Sequence, residues 1–309
     1  MTDTTQRKVD QDLAASIDLF RRADVGVVNS VRPCRGRRAL IALDGSSQDA
    51  ATVAMAQRVA EQWSCQFSVL NLGDATNHEQ RAALQQLGAS VLQEAKGDEP
   101  FERILAAIDE VDADFLIVPC PFGRDFESVG EDSTGTVVDV LISRLKIPFV
   151  AIRQPDARTR DPLAHVRIVL TGENEAAEKA AAYAVGLVRN GGRLELLLLV
   201  EHQFYENFRT IVQALHPAEE ISYEDVERAL AKAYARLHAG LQKSAKEMGV
   251  DYDLLVRHED DDDQPVTPEH PQTHPVLMIL ALEQGEHDAQ AEVHDYIRRS
   301  PHPVLVVPK

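Results

Sequence analysis

ADFLIVPCPFGRDFESVGEDSTGTVVDVLISRLKIPFVAIR, residues 113–153, decides how the chain is read. Phe115–Val118 is a short apolar run between Asp114 and Pro119, the pattern of a strand covered on both faces. A loop with Gly123, Gly130 and Gly135 follows. Helical spacing resumes at Thr136 and predicts a helix to Leu145, and Ile147–Ile152 is a further apolar strand.

Working outward, the same alternation fills the chain. Upstream, the pattern predicts a strand at Arg38–Leu43 and a helix from the capping-box pair Ser46 and Asp49 to Trp63. Further elements follow at Gln66–Leu72 (strand), Asn77–Leu87 (helix), Ser90–Gln93 (strand) and Glu99–Val111 (helix). A short helix over Ala14–Arg22 is expected in the polar lead-in. Downstream, the pattern restarts with strands at Val166–Leu170, Leu194–Val200, Leu254–Val256, Val276–Leu282 and Val304–Val307. Helices are predicted at Glu175–Arg189, from Ser222 continuously toward Gly249, and at Ala289–Arg298. The ends of the halves echo each other, KIPFVAIR at 146–153 against HPVLVVPK at 302–309, and the first strands, at Arg38 and Val166, give a period of about 130 residues.

These observations predict an α/β chain of two tandem parallel-sheet, Rossmann-like domains related by a pseudo-two-fold axis. Residues 1–37 are an extension, 38–154 the first unit, 155–164 a linker and 165–309 the second unit. Phe149–Ile152 and Val304–Val307 are apolar strands whose bare edges would aggregate, so each is expected to pair antiparallel with the other. Self-association through these strands, as a dimer of like units, is the partner expectation.

Composition narrows the function. Fifty acids against 32 Lys and Arg give −18, which repels nucleic acid and anionic lipid. No apolar run is long enough to span a bilayer, and the N-terminus lacks a signal-type core. Cys34, Cys65 and Cys120 have no disulfide or metal-thiolate spacing, so a reduced, cytoplasmic protein is expected. His258, Asp260–Asp263, His270 and His274 are ligand types, but four prolines interrupt them and no metal site is assigned. No Walker lysine loop, nucleophile elbow or phosphatase Asp pair is present, Ala42 standing where the last would need its nucleophile, so no catalytic residue is assigned.

LIALDGSS at 40–47, together with the 113–153 stretch, resembles the universal stress protein family in its tandem form. That resemblance implies the adenine nucleotide alpha hydrolase-like fold, and a regulator of the stress response rather than an enzyme, with weak nucleotide hydrolysis left open. It also implies one site for ATP or another adenine nucleotide, with Mg, in the first unit. The residues carried over are Asp44 and Leu72 beside adenine, and Gly123, Gly135 and Thr136 around the phosphates. Pro119 replaces the first glycine of the family loop, and eleven residues separate Gly123 from Gly135 where the family has nine. Ser133 or Thr134 is expected to cap the following helix, while Glu127, Glu131 and Asp132 oppose a triphosphate unless a cation intervenes. The second unit has Thr171-Gly172-Glu173 for Asp-Gly-Ser and the short loop Glu283–Gln290, and is read as degenerate. The alternative is a nucleotide-free scaffold acting through an unidentified protein partner.

Overall fold

The computed structural model describes residues 28–73, 77–93, 95–129, 133–155, 161–171, 174–215, 221–259, 274–283 and 287–309. The expected helix over Ala14–Arg22, and Gly130, Glu131, Asp132, Gly172, Glu173, Asp260–Asp263 and His270, lie outside them. The first unit runs β1 (Arg38–Leu43), α1 (Asp49–Gln62), β2 (Gln66–Asn71), α2 (His78–Gln86), β3 (Ser90–Leu92), α3 (Pro100–Val111), β4 (Phe115–Pro119), α4 (Phe126–Val129), α5 (Thr136–Arg144) and β5 (Phe149–Ile152). The second runs β6 (His165–Thr171), α6 (Ala177–Leu187), β7 (Arg193–Val200), α7 (His202–Leu215), α8 (Tyr223–Ala233), α9 (Ala235–Met248), β8 (Asp251–His258), β9 (Leu277–Leu282), α10 (His287–Arg299) and β10 (Val304–Pro308).

All ten strands form one sheet, ordered β3-β2-β1-β4-β5-β10-β9-β6-β7-β8. Every pairing is parallel except the central one, where Val150 of β5 faces Leu305 of β10 antiparallel. Alternate side chains enter two cores. Ile41, Phe115 and Leu198 point to the face carrying α1, α6, α8 and α9, while Leu40, Leu116 and Leu280 point to the face carrying α3, α5 and α10.

Trp63 fastens the two units on the first face. Its ring meets Phe115 edge-on at 4.8 Å, and its Nε1 donates to Gly186 O at 2.8 Å. The end of the lead-in, residues 28–37, is a strap across the second unit. Cys34 N donates to Ala182 O at 2.8 Å, and Ser244 Oγ to Val31 O at 3.2 Å. A Cβ on Gly186 would lie 2.0 Å from Cys34 O, so only glycine lets the strap pass.

Three local expectations differ from the structure. The helix expected from Ser222 to Gly249 is two helices that break at Tyr234, whose buried hydroxyl accepts from Asn174 N at 2.9 Å. Ser46 and Asp49 do not form a capping box. Gln48 is the N-cap of α1, and Asp49 turns back to accept from Asp44 N at 3.1 Å and Gly45 N at 2.9 Å. Helix α7 has no counterpart in the sequence reading.

Candidate functional site

The predicted site residues lie at the carboxyl ends of β1, β2 and β4, where parallel sheets place ligands. Asp44 follows β1, and Leu72 follows β2 and donates its amide to Leu43 O at 2.8 Å. The next residue, Gly73, passes so close that a Cβ there would lie 2.3 Å from Asp44 O. Gly123 and Gly135 both have positive φ, 76° and 84°, which explains glycine at each. Gly135 is the N-cap of α5 and Thr136 its first, exposed residue.

The structure brings Asp44 and Gly123 into direct contact: Gly123 N donates a short hydrogen bond to Asp44 Oδ2. Asp44 Oδ1 accepts from Ser46 N at 2.9 Å. Ser47 N donates to Asp125 Oδ1 at 2.9 Å, Gly45 N to Asp49, and Gly135 N to Ser133 Oγ at 3.0 Å. Five backbone amides around the loop therefore end on the chain's own side chains. Burial pushes the Asp49 carboxyl up to about 7, and the neighbouring Asp44 charge adds to it. This end of the sheet is rich in carboxylates already bound to the amides a phosphate would use.

Neither Ser133 nor Thr134 caps α5 by side chain, because Gly135 holds that position. Thr134 Oγ1 instead donates to Asp139, and His294 Nδ1 of α10 lies 3.1 Å from the same carboxylate. The glycine loop is thereby hooked to the second unit. Beneath the loop lies the fully buried Arg153, which donates to Ser133 O at 3.1 Å and stands over the Phe126 ring at 5.1 Å. Cys120 is fully buried beside it, and burial pushes its thiol up to about 12, a poor nucleophile. Arg153 directly follows β5, and nothing in its local sequence marked it as part of the loop's foundation.

The second unit has a cavity at the equivalent end, of about 130 Å³, lined by Thr171, Asn174, Glu283, Glu292 and Tyr296 among apolar neighbours. Thr171 Oγ1 donates to Glu292 Oε2 at 3.2 Å. Behind it, burial pushes the Glu201 carboxyl up to about 8, with the charge of Glu292, a hydrogen bond shared with Glu292 and the charge of Glu259 adding to the shift. Burial, followed by the charges of Glu201, Glu259 and Glu292, also raises the Tyr296 hydroxyl. The carboxylates of Glu283 and Glu292 in the lining oppose a phosphate there. Among the described residues no group of three or more His, Cys, Asp or Glu is arranged to hold a metal, and no helix is long and apolar enough to cross a membrane.

No family model and no curated protein matches the sequence. Among solved structures, a universal stress protein from Archaeoglobus fulgidus DSM 4304 aligns with a TM-score of 0.54 at 14% identity, over 88% of this chain and 96% of that one. A protein of unknown function from Pseudomonas aeruginosa PAO1 aligns with a TM-score of 0.54 at 16% identity, over 88% of this chain and 92% of that one. A protein from Pseudomonas aeruginosa UCBPP-PA14 that also carries the universal stress name gives 0.56 and 16%, over 88% and 93%. The chain has the universal stress protein fold, two Rossmann-like units in tandem.

Proposed function

We propose that the chain is a non-catalytic regulatory protein of the universal stress type, working in the cytoplasm without bound nucleotide and through contacts with other proteins. One observation carries this: the amides of Gly45, Ser46, Ser47, Gly123 and Gly135 are all engaged by the chain's own side chains, four of them by carboxylates. A triphosphate would have to displace Asp44 and Asp125 and then lie beside them. Like charges about 4 Å apart at an effective dielectric near 20 repel by roughly 4 kcal/mol. On this reading Asp44, Gly123 and Gly135 serve the loop's own hydrogen bonds, while Leu72 and Thr136 have no nucleotide to contact.

The second reading, one adenine nucleotide with Mg in the first unit, draws on the positive φ of Gly123 and Gly135, which permits close backbone approach. Two measurements separate the readings. Freshly purified protein is denatured and the supernatant assayed for adenine nucleotide, and the native protein is titrated with ATP and magnesium by calorimetry. Absence of both released nucleotide and binding at millimolar ATP is expected. About one equivalent of released nucleotide, or binding that Thr136→Asp abolishes, overturns the proposal and restores the nucleotide site.

A further inference from the structure

The ten-stranded sheet ends at β3 on one side and at β8 on the other. These strands hold equivalent places in the two units, yet they differ. β3 has three residues, the short edge by which proteins discourage further pairing, whereas β8 has eight. β5 and β10, the strands expected to serve self-association, have neighbours on both sides within the chain, so the finished sheet offers them no open edge. Asp251 N donates to Gly192 O at 2.9 Å and Glu259 N to Val200 O at 3.0 Å. The odd-numbered residues of β8 therefore turn their amides and carbonyls to β7, and Leu254 and Val256 turn theirs away from it. Among the described residues no strand pairs with that side. Every residue of β8 is at least partly exposed, whereas β7 is buried beyond Arg193.

We infer that β8 is a self-association edge, at which two copies of the chain pair antiparallel about a two-fold axis and continue the sheet from one molecule into the other. Charge selects the second copy. β8 reads Asp-Tyr-Asp-Leu-Leu-Val-Arg-His, acidic at its start and basic at its end. Antiparallel pairing sets start against end, and parallel pairing would set like against like. The outward groups of Leu254 and Val256 have to exchange hydrogen bonds across the axis. The two-fold register that pairs Leu254 with Val256 is centred on Leu255. It sets Asp253 opposite Arg257 of the second copy, twice by symmetry, and Leu255 opposite itself. Only Asp251 and Glu259, at the margin, meet as like charges. Asp253 keeps Arg193 at 2.9 Å on its inner side. Asp253, Leu255 and Arg257 share one face of the strand, and Leu255 already packs against the core of that face, so the pairing prolongs an existing apolar layer. The net charge of −18 opposes association, but it is screened beyond about 8 Å at physiological ionic strength, whereas cross-strand pairs act at contact. A nucleotide in the first unit would leave β8 bare all the same, so this edge is independent of the function proposed above.

The test sediments the full chain under reducing conditions over a range of micromolar concentrations, where a reversible dimer is expected. Val256→Pro removes an outward amide without touching the ladder to β7, and Arg257→Asp sets like charges across the axis. Each should weaken the dimer at least tenfold. Leu255→Cys, which needs no loss of folding to be read, should form an intermolecular disulfide on mild oxidation that the parent with its own three cysteines does not form. The Leu254 and Val256 amides should exchange quickly in the dilute monomer and slowly in the dimer. A parent that stays monomeric, a dimer that both Val256→Pro and Arg257→Asp leave intact, or a Leu255→Cys chain that does not cross-link overturns the inference. So does slow exchange of the Leu254 and Val256 amides in the dilute monomer, since a segment of the chain itself would then cover the edge. So does a dimer that Val256→Pro keeps and Phe208→Ser with Ile211→Ser abolishes, since the copies would then meet on the exposed apolar stripe of α7 instead.

Discussion

Asp44 and Gly123 lie 79 residues apart in sequence and are joined by a hydrogen bond from the glycine amide to the carboxylate. The bond ties the end of the first strand to the first turn of the glycine loop, and with the Ser46 amide it uses both carboxylate oxygens. Asp44→Ala leaves two amides without their acceptor. Exchange of the Gly123 and Ser46 amide hydrogens should accelerate, and stability should fall by about 1–3 kcal/mol. The Asp49 carboxyl, held at about 7 by burial and then by Asp44, should titrate lower when followed by NMR. Unchanged exchange at Gly123 would show that the tie does not close the loop.

Glu195 gives an acid-side prediction. It is buried on β7, with Arg167 Nε at 2.7 Å, His165 Nε2 at 2.8 Å and Arg193 Nη2 at 2.8 Å. Burial alone would raise its carboxyl, but the hydrogen bond from His165 and the charges and bond of Arg167 and His165 outweigh burial and hold it at about 2. A depressed carboxyl contributes stability above its unfolded value of 4.5 and loses it as pH falls toward 2. Glu195→Gln should cost about 3 kcal/mol at pH 7 and flatten the decline in stability between pH 4.5 and 2.

Glu201 carries the opposite sign. Its carboxyl rises from 4.5 to about 8, so it favours the folded state least once it is forced to ionise. The penalty is absent below pH 4.5 and develops as pH rises through 8. Glu201→Gln should therefore raise the melting temperature at pH 9 more than at pH 5. A uniform change across that range would mean that Glu201 is not strained by Glu292 and Glu259.

Gly186→Ala places a methyl group where Cys34 O passes. The strap at residues 28–37 should lift from α6, with a loss of roughly 1–3 kcal/mol. Native-state maleimide labelling should speed up at Cys34, which is half-buried in the parent, and stay negligible at Cys120, which is fully buried. Parent-like labelling of Cys34 would place the strap's anchorage elsewhere.

Much of the architecture is legible from local pattern. Runs such as Leu40–Leu43 and Leu196–Val200 are apolar because both faces of a parallel strand are covered, and the matching tails at 146–153 and 302–309 betray the duplication. Ser222 and Asp225 form the capping box their spacing predicts. What local pattern does not reveal depends on distant partners. Tyr234 breaks a continuous helical stripe because its hydroxyl meets Asn174, 60 residues away. Helix α7 is overlooked because its apolar spacing is split between an inner side and an outer stripe, so no single buried face stands out. At the candidate site the residue types are visible and their use is not. Asp44, Gly123 and Gly135 read as nucleotide contacts by resemblance, whereas the structure spends the Asp44 carboxylate and both glycine amides on the chain itself.

The antiparallel junction of β5 and β10 also sets a schedule for biosynthesis. About 150 residues separate Ile152 from Val304, and at a ribosomal rate of about 5–20 residues per second they take roughly 8–30 s to emerge. Throughout that interval the outer edge of β5 has no partner, although the rest of the first unit can already pair. A truncated product ending before β10 keeps that edge open permanently. Nascent and shortened chains are thus natural clients for chaperones and proteases, and the finished chain escapes both at the moment its two halves zip together.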